Sequence, residues 1–171
     1  TEGFQNSLQV TKTWHLRTPE NSDLAVIDTP AGLTRQELIS ATRGADAILI
    51  PVMPSDIDIH AVMKCISDLL LVAKIPRPDL KIGIIANRVR ANTRVYGQLK
   101  KFLSSLDIPL VATLRDSQNY TRAFEFGMGI HEMPFSQVKK DIDAWSDIMG
   151  WLDRLRERNL GQPSAIHYLR G

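Results

Sequence analysis

Asp23-Leu24-Ala25-Val26-Ile27-Asp28-Thr29-Pro30-Ala31-Gly32 is an apolar run that stops on a carboxylate and passes at once into a tight turn. Leu24 to Ile27 has the pattern of a buried parallel strand covered on both faces. Asp28 falls where such a strand would end. In open α/β sheets the crevice outside the carboxyl ends of the strands is where ligands bind. Pro30 sets its own φ, and Gly32 leaves the backbone free to turn. A carboxylate so placed can hold a magnesium ion through water, while N–H groups of the turn meet a phosphate oxygen. The alternative for Asp28 is an aspartate that only caps its own turn.

Downstream of this stretch, helical and strand patterns alternate. Thr34, with Glu37 three residues on, predicts a capped helix to about Arg43, closed by Gly44. Ala47 to Val52 predicts a second strand. A helix from about Ile57 to Ala73 follows, ended by Pro76 and Pro78. Lys81 to Asn87 reads as a third strand, Tyr96 to Leu106 as a helix, and Pro109 to Leu114 as a fourth strand. A short helix from Asn119 to Phe126 stops at Gly127. An amphipathic helix runs from about Gln137 to Arg158. Upstream, Leu8 to Trp14 reads as a strand or an arm.

Strands alternating with helices predict an α/β class: a three-layer, mostly parallel sheet with helices on both faces. Three of the four expected strands run into polar residues: Asp28, Asn87 and the pair Arg115-Asp116. Their convergence on one edge of the sheet marks the candidate ligand site.

Composition narrows the class. At 171 residues, 43% of them hydrophobic and 23% charged, the chain is of single-domain size and ordinary globular make-up. A formal charge of +2 does not by itself argue for nucleic acid. The lone Cys65 rules out an internal disulfide and suits a reducing cytoplasm. The longest apolar run, around Leu69 to Ala73, is too short to span a bilayer. His15, His60, His131 and His167 show no metal-ligand spacing.

Asp23 to Gly32 resembles the Walker B and switch II segment of the ParA/MinD family, the deviant Walker-type P-loop ATPases of DNA partitioning and division-site placement. The resemblance continues in order through Asp46 to Pro51 with Pro54-Ser55, Ala86-Asn87-Arg88-Val89, Thr113 to Ser117, and Tyr120 to Ala123 with Gly127. It covers about Asp23 to Leu155. It implies ATP/ADP and Mg2+ as cofactors. Asp28 would be catalytic and hold the metal through water. Pro30, Ala31 and Gly32 would form the turn whose N–H groups sense the γ-phosphate. Asn87 would read the adenine, and Arg115 and Asp116 would line the base.

In the partitioning branch, arginines at positions matching Arg94 and Arg122 bind DNA non-specifically. The alternative for the basic loop Arg88 to Arg94 is a solvated charged face. The tail from Gly161 is too short and too rich in Pro and Gly for a membrane-targeting helix. The implied partners are a second copy of the chain, non-specific DNA and a ParB-like stimulating protein, with no membrane. The implied location is the cytoplasm, on the nucleoid.

One departure from the family is large. No Gly-Lys-[Ser/Thr] run occurs anywhere in the sequence. Residues 1–22 are too few for a P-loop strand, a helix and a switch I carboxylate. The expected organisation is therefore a carboxyl-terminal portion of a longer ATPase: an arm or remnant over 1–22, a nucleotide-binding domain over 23–158, and a flexible tail over 159–171. The second functional reading is a non-catalytic binding or regulatory module built on the same fold, of which a phosphoacceptor at Asp28 is one version.

Overall fold

The computed structural model describes residues 24–30, 32–71, 73, 81–105 and 108–160. The expected arm, Ala31, Pro76 and Pro78, and the tail beyond 160 lie outside the described residues. Three parallel strands form the sheet, β1 (Ile48–Val52), β2 (Ile82–Val89) and β3 (Leu110–Arg115), with β2 in the middle. Among the described residues five helices accompany them: α1 (Arg35–Thr42), α2 (Asp56–Leu71), α3 (Arg94–Ser104), α4 (Gln118–Glu125) and α5 (Phe135–Leu160). A 3-10 turn at Ile130–Glu132 occupies the loop before α5.

Local chemistry sets most boundaries. The Thr34 hydroxyl accepts from the Glu37 N–H while the Glu37 carboxylate accepts from the Thr34 N–H at 2.8 Å, so both orphan donors at the start of α1 are met. That hydrogen bonding to Thr34 also holds the Glu37 carboxyl below its usual range. Gly44 follows the helix at φ 76°, the left-handed conformation that closes it. Ser55 opens α2: its hydroxyl accepts from the Asp58 N–H at 3.1 Å and donates to the Asp58 carboxylate. Thr93 caps α3 through the Tyr96 N–H, so that helix begins at Arg94, two residues before the expected Tyr96.

The core alternates across the sheet. Ile82, Ile84 and Ala86 face α2 and α3, joining Val62, Ile66, Leu69, Leu99 and Leu103. Ile85 faces the opposite side with Ala112, Leu114 and Ile148 of α5. Both faces of β2 are thus covered, which is why its sequence is continuously apolar rather than alternating. Met63 of α2 and Met149 of α5, apolar residues at helical spacing, are 45% and 50% exposed.

Gly83 is a packing position. A Cβ there would lie 2.5 Å from Val111 Cγ2 and 3.0 Å from the Trp151 ring. Gly83→Ala is expected to destabilise the fold by about 1–3 kcal/mol through overpacking. A urea midpoint equal to that of the unsubstituted protein would contradict this.

The opening stretch departs from expectation. Leu24 to Ile27 forms no strand, and Leu24 and Val26 are 70% and 86% exposed. A strand exists only through ladder hydrogen bonds to a neighbour. Among the described residues β1 pairs with β2 alone, and nothing pairs with residues 24–27. Apolarity made this run compatible with a buried strand but did not supply its partner.

Candidate functional site

The carboxyl ends of β2 and β3 meet closely. Val89 stands opposite Arg115, and the Asp116 N–H donates to the Val89 carbonyl at 3.0 Å. Between Ala86 and Val89 the register with β3 shifts, and Arg88 sits at φ 51°. Such irregularities at strand ends re-aim side chains and are frequent beside sites. Asn87, half-buried just before the kink, accepts the Arg88 N–H on its Oδ1 at 3.0 Å. Its Nδ2 carries no hydrogen bond among the described residues.

An open crevice of about 420 Å³ lies at this end of the sheet. Its walls are Met53, Pro54, Ser55 and Asp58 after β1, Arg88 at the end of β2 with Arg90, Thr93 and Val95 beyond it, and Asp116 after β3. Loops at one sheet edge therefore build it, as the parallel topology requires. Asp116 takes both arginines. Arg90 donates from Nε to Oδ2 at 2.9 Å, its Nη2 lies 2.9 Å from the same oxygen, and Arg88 Nε lies 3.5 Å from Oδ1. The Arg90 hydrogen bond, then the two positive charges, hold the Asp116 carboxyl below its usual range.

Arg115 points elsewhere. It donates Nε and Nη2 to the two oxygens of Asp141 on α5, at 2.6 and 2.9 Å. Asn119 and Ser117 also donate to Asp141, which is fully buried. Hydrogen bonding from Arg115, then from Asn119 and Ser117, pulls the Asp141 carboxyl below its usual range. Asp141 thus fixes the Arg115-Asp116-Ser117 loop from beneath. Sequence spacing had placed it only as one acid on an amphipathic helix. Its position in the apolar stripe, three residues after Val138 and seven before Ile148, was the available signal.

The other expected site residues divide as follows. Asp28 and Pro30 are exposed and lie in no helix or strand, and Gly32 occupies a turn at φ 73°. The structure does not bring Asp28 to a strand end beside Asn87 and Asp116, because the strand that would carry it is absent from the sheet. Arg94 and Arg122 are exposed and hold no ion pair among the described residues. Lys100 lies 4.8 Å over the Tyr96 ring. Among the described residues no cluster of three His, Cys, Asp or Glu side chains could hold a metal, and no helix is long and apolar enough to cross a membrane. Cys65 packs half-buried against the core, and burial pushes its thiol pKa up, which makes it a poor nucleophile.

Asn87 leaves an amide donor uncommitted at a strand terminus beside the ion-paired loop, though its side chain is not among those lining the crevice. The described residues do not assemble a magnesium–phosphate end, because Asp28 stands apart from any second ligand.

No family model matches the chain. The structure superposes on the MinD cell division protein of Aquifex aeolicus with a TM-score of 0.50, at 18% identity, over 82% of this chain and 54% of that one. The fold is of the ParA/MinD type. In sequence, the chain is 25% identical over 114 residues to the maintenance of carboxysome distribution protein A of Halothiobacillus neapolitanus, covering 66% of this chain and 52% of the relative. The chain thus spans about half the length of each of these two proteins. The ParA/MinD-type fold accounts for the parallel sheet, the helices on both faces, and a loop-built crevice at the strand ends.

Proposed function

We propose that this chain is part of a ParA-like positioning ATPase that dimerises with ATP, binds DNA non-specifically and segregates DNA or another cargo. The observation that carries this is the site at the carboxyl ends of β2 and β3. There Asn87, the kinked Arg88 and the Asp116 loop converge in a ParA/MinD-type fold. Similarity to a carboxysome distribution protein favours a positioning role over other ATPase chemistries.

In this proposal Asn87 reads the adenine, and the backbone around Arg115 and Asp116 lines the base. Asp28 and the turn at Pro30, Ala31 and Gly32 serve the magnesium and γ-phosphate once a neighbouring strand holds them. The sequence has no Gly-Lys-[Ser/Thr] loop, so the phosphate cradle comes from residues outside it. Phosphoryl transfer depends on positioning and charge stabilisation, so these residues alone do not hydrolyse ATP at a useful rate. A ParB-like protein stimulates the complete enzyme, which works in the cytoplasm on the nucleoid.

Exposed Arg94 and Arg122 are the proposed phosphate contacts. In the natural full-length protein with Mg-ATP, Arg94→Ala combined with Arg122→Ala is expected to weaken duplex DNA binding about tenfold or more and to reduce the salt slope by about 2. DNA retention measured against salt, with and without ATP, tests this. Retention that ignores ATP, or that survives the double substitution with an unchanged slope, overturns the DNA-binding role.

A further inference from the structure

Arg88 and Arg90 leave the end of β2, and Asp116 leaves the end of β3, yet all three meet over the mouth of the crevice. The side chains of Arg88 and Arg90 are 67% and 79% exposed, while that of Asp116 is 25% exposed. A single exposed ion pair holds little. Here the geometry is stronger than a single pair. Arg90 donates Nε to one carboxylate oxygen with Nη2 also 2.9 Å from it, Arg88 approaches the other oxygen, and the Asp116 N–H is tied to the Val89 carbonyl. The left-handed backbone at Arg88, with its N–H taken by Asn87, turns the chain back toward Asp116. The basic loop Arg88 to Arg94 is therefore not a uniform cationic face. Asp116 offsets one of the two charges on Arg88 and Arg90, while Arg94 holds no ion pair among the described residues.

We infer that Asp116 with Arg90 and Arg88 forms an electrostatic strap that sets the spacing between the two loops receiving the purine base. Asp116 and Arg90 are then positioning residues for a purine nucleoside triphosphate. This role rests on the nucleotide reading given under Proposed function. The strap acts through Asn87: it holds the kink at Arg88, and the kink orients the Asn87 carboxamide. Loss of the strap therefore loosens base recognition without removing any atom that touches the base through Asn87.

The test uses the natural full-length protein, Mg2+, and fluorescent ATP and GTP analogues. Asp116→Asn and Arg90→Ala are each expected to weaken ATP-analogue binding about three- to tenfold and to narrow the preference over GTP. The double substitution is expected to be no worse than either single one. The reversal Asp116→Arg with Arg90→Asp is expected to recover part of the loss, which a merely structural defect would not do. Hydrogen exchange of the 90–93 amides, without nucleotide, is expected to quicken in both single variants.

Wild-type binding with both single variants within twofold of it overturns the strap. So do losses that add fully in the double variant, or a charge reversal that recovers nothing. Wild-type protein that binds neither analogue overturns the nucleotide reading itself, and this role with it, even where exchange of the 90–93 amides quickens.

Discussion

Asp141→Ala is expected to lower the unfolding free energy by about 2–3 kcal/mol. Asp141 is fully buried and accepts hydrogen bonds from Arg115, Asn119 and Ser117. Removing one member of a fully buried pair costs about 3–5 kcal/mol, because the remaining charge is stranded. Arg115 is 46% exposed and recovers water, so the lower figure applies. No buried side-chain nitrogen or oxygen among the described residues lacks a partner. The substitution would also remove an acceptor from Ser117 and Asn119, although Asn119 Nδ2 keeps the Gln137 carbonyl at 3.0 Å.

The pH dependence has a definite sign. The Asp141 carboxyl is held below its usual value, chiefly by Arg115. A depressed folded-state pKa stabilises the fold above the unfolded value of about 3.9, and that contribution is lost as pH falls through the folded value. The gap in urea midpoint between the unsubstituted protein and Asp141→Ala is therefore full at neutral pH and closes under acid. A gap that persists undiminished well below pH 3 would show that Asp141 acts through packing rather than charge.

Asn87→Ala in the natural full-length protein is expected to weaken ATP binding about 5- to 150-fold, the effect of losing about 1–3 kcal/mol of bidentate recognition. The Asn87 Oδ1 spends one lone pair on the Arg88 N–H, and its Nδ2 is uncommitted among the described residues. One lone pair and both amide N–H donors remain, enough to match the N6 donor and N7 acceptor of adenine. Guanine presents an acceptor at both places, so ATP should lose more than GTP and the preference should collapse. Titration with both nucleotides measures this. Equal small losses for ATP and GTP would place Asn87 outside the base contact.

Most helices were legible because their signals are local. Thr34 with Glu37, and Gly127 after α4, each act within a few residues, whereas the Thr93 cap that starts α3 went unread. Such chemistry holds whatever the rest of the chain does. The parallel α/β class followed from the spacing of apolar runs around Ile48, Ile82 and Leu110. That Asn87 and the Arg115-Asp116 loop share the carboxyl edge of neighbouring parallel strands followed from topology alone.

Long-range pairing was not legible. Nothing local in the sequence tells that the Arg115 side chain pairs with Asp141, 26 residues away. Arg88 and Arg90 looked like free cations, but Asp116 takes both.

The opening run from Asp23 to Gly32 separates the two kinds of information. Its composition determined that it could be a buried strand ending in a carboxylate, since side-chain polarity is a property of the residues themselves. Whether it is a strand depends on a neighbour that offers N–H and C=O groups in register, and among the described residues none does. Local signals set the helices and the strand-end polarity. Which strands pair, and which acid receives each arginine, was decided only when the folded chain brought distant residues within hydrogen-bond reach.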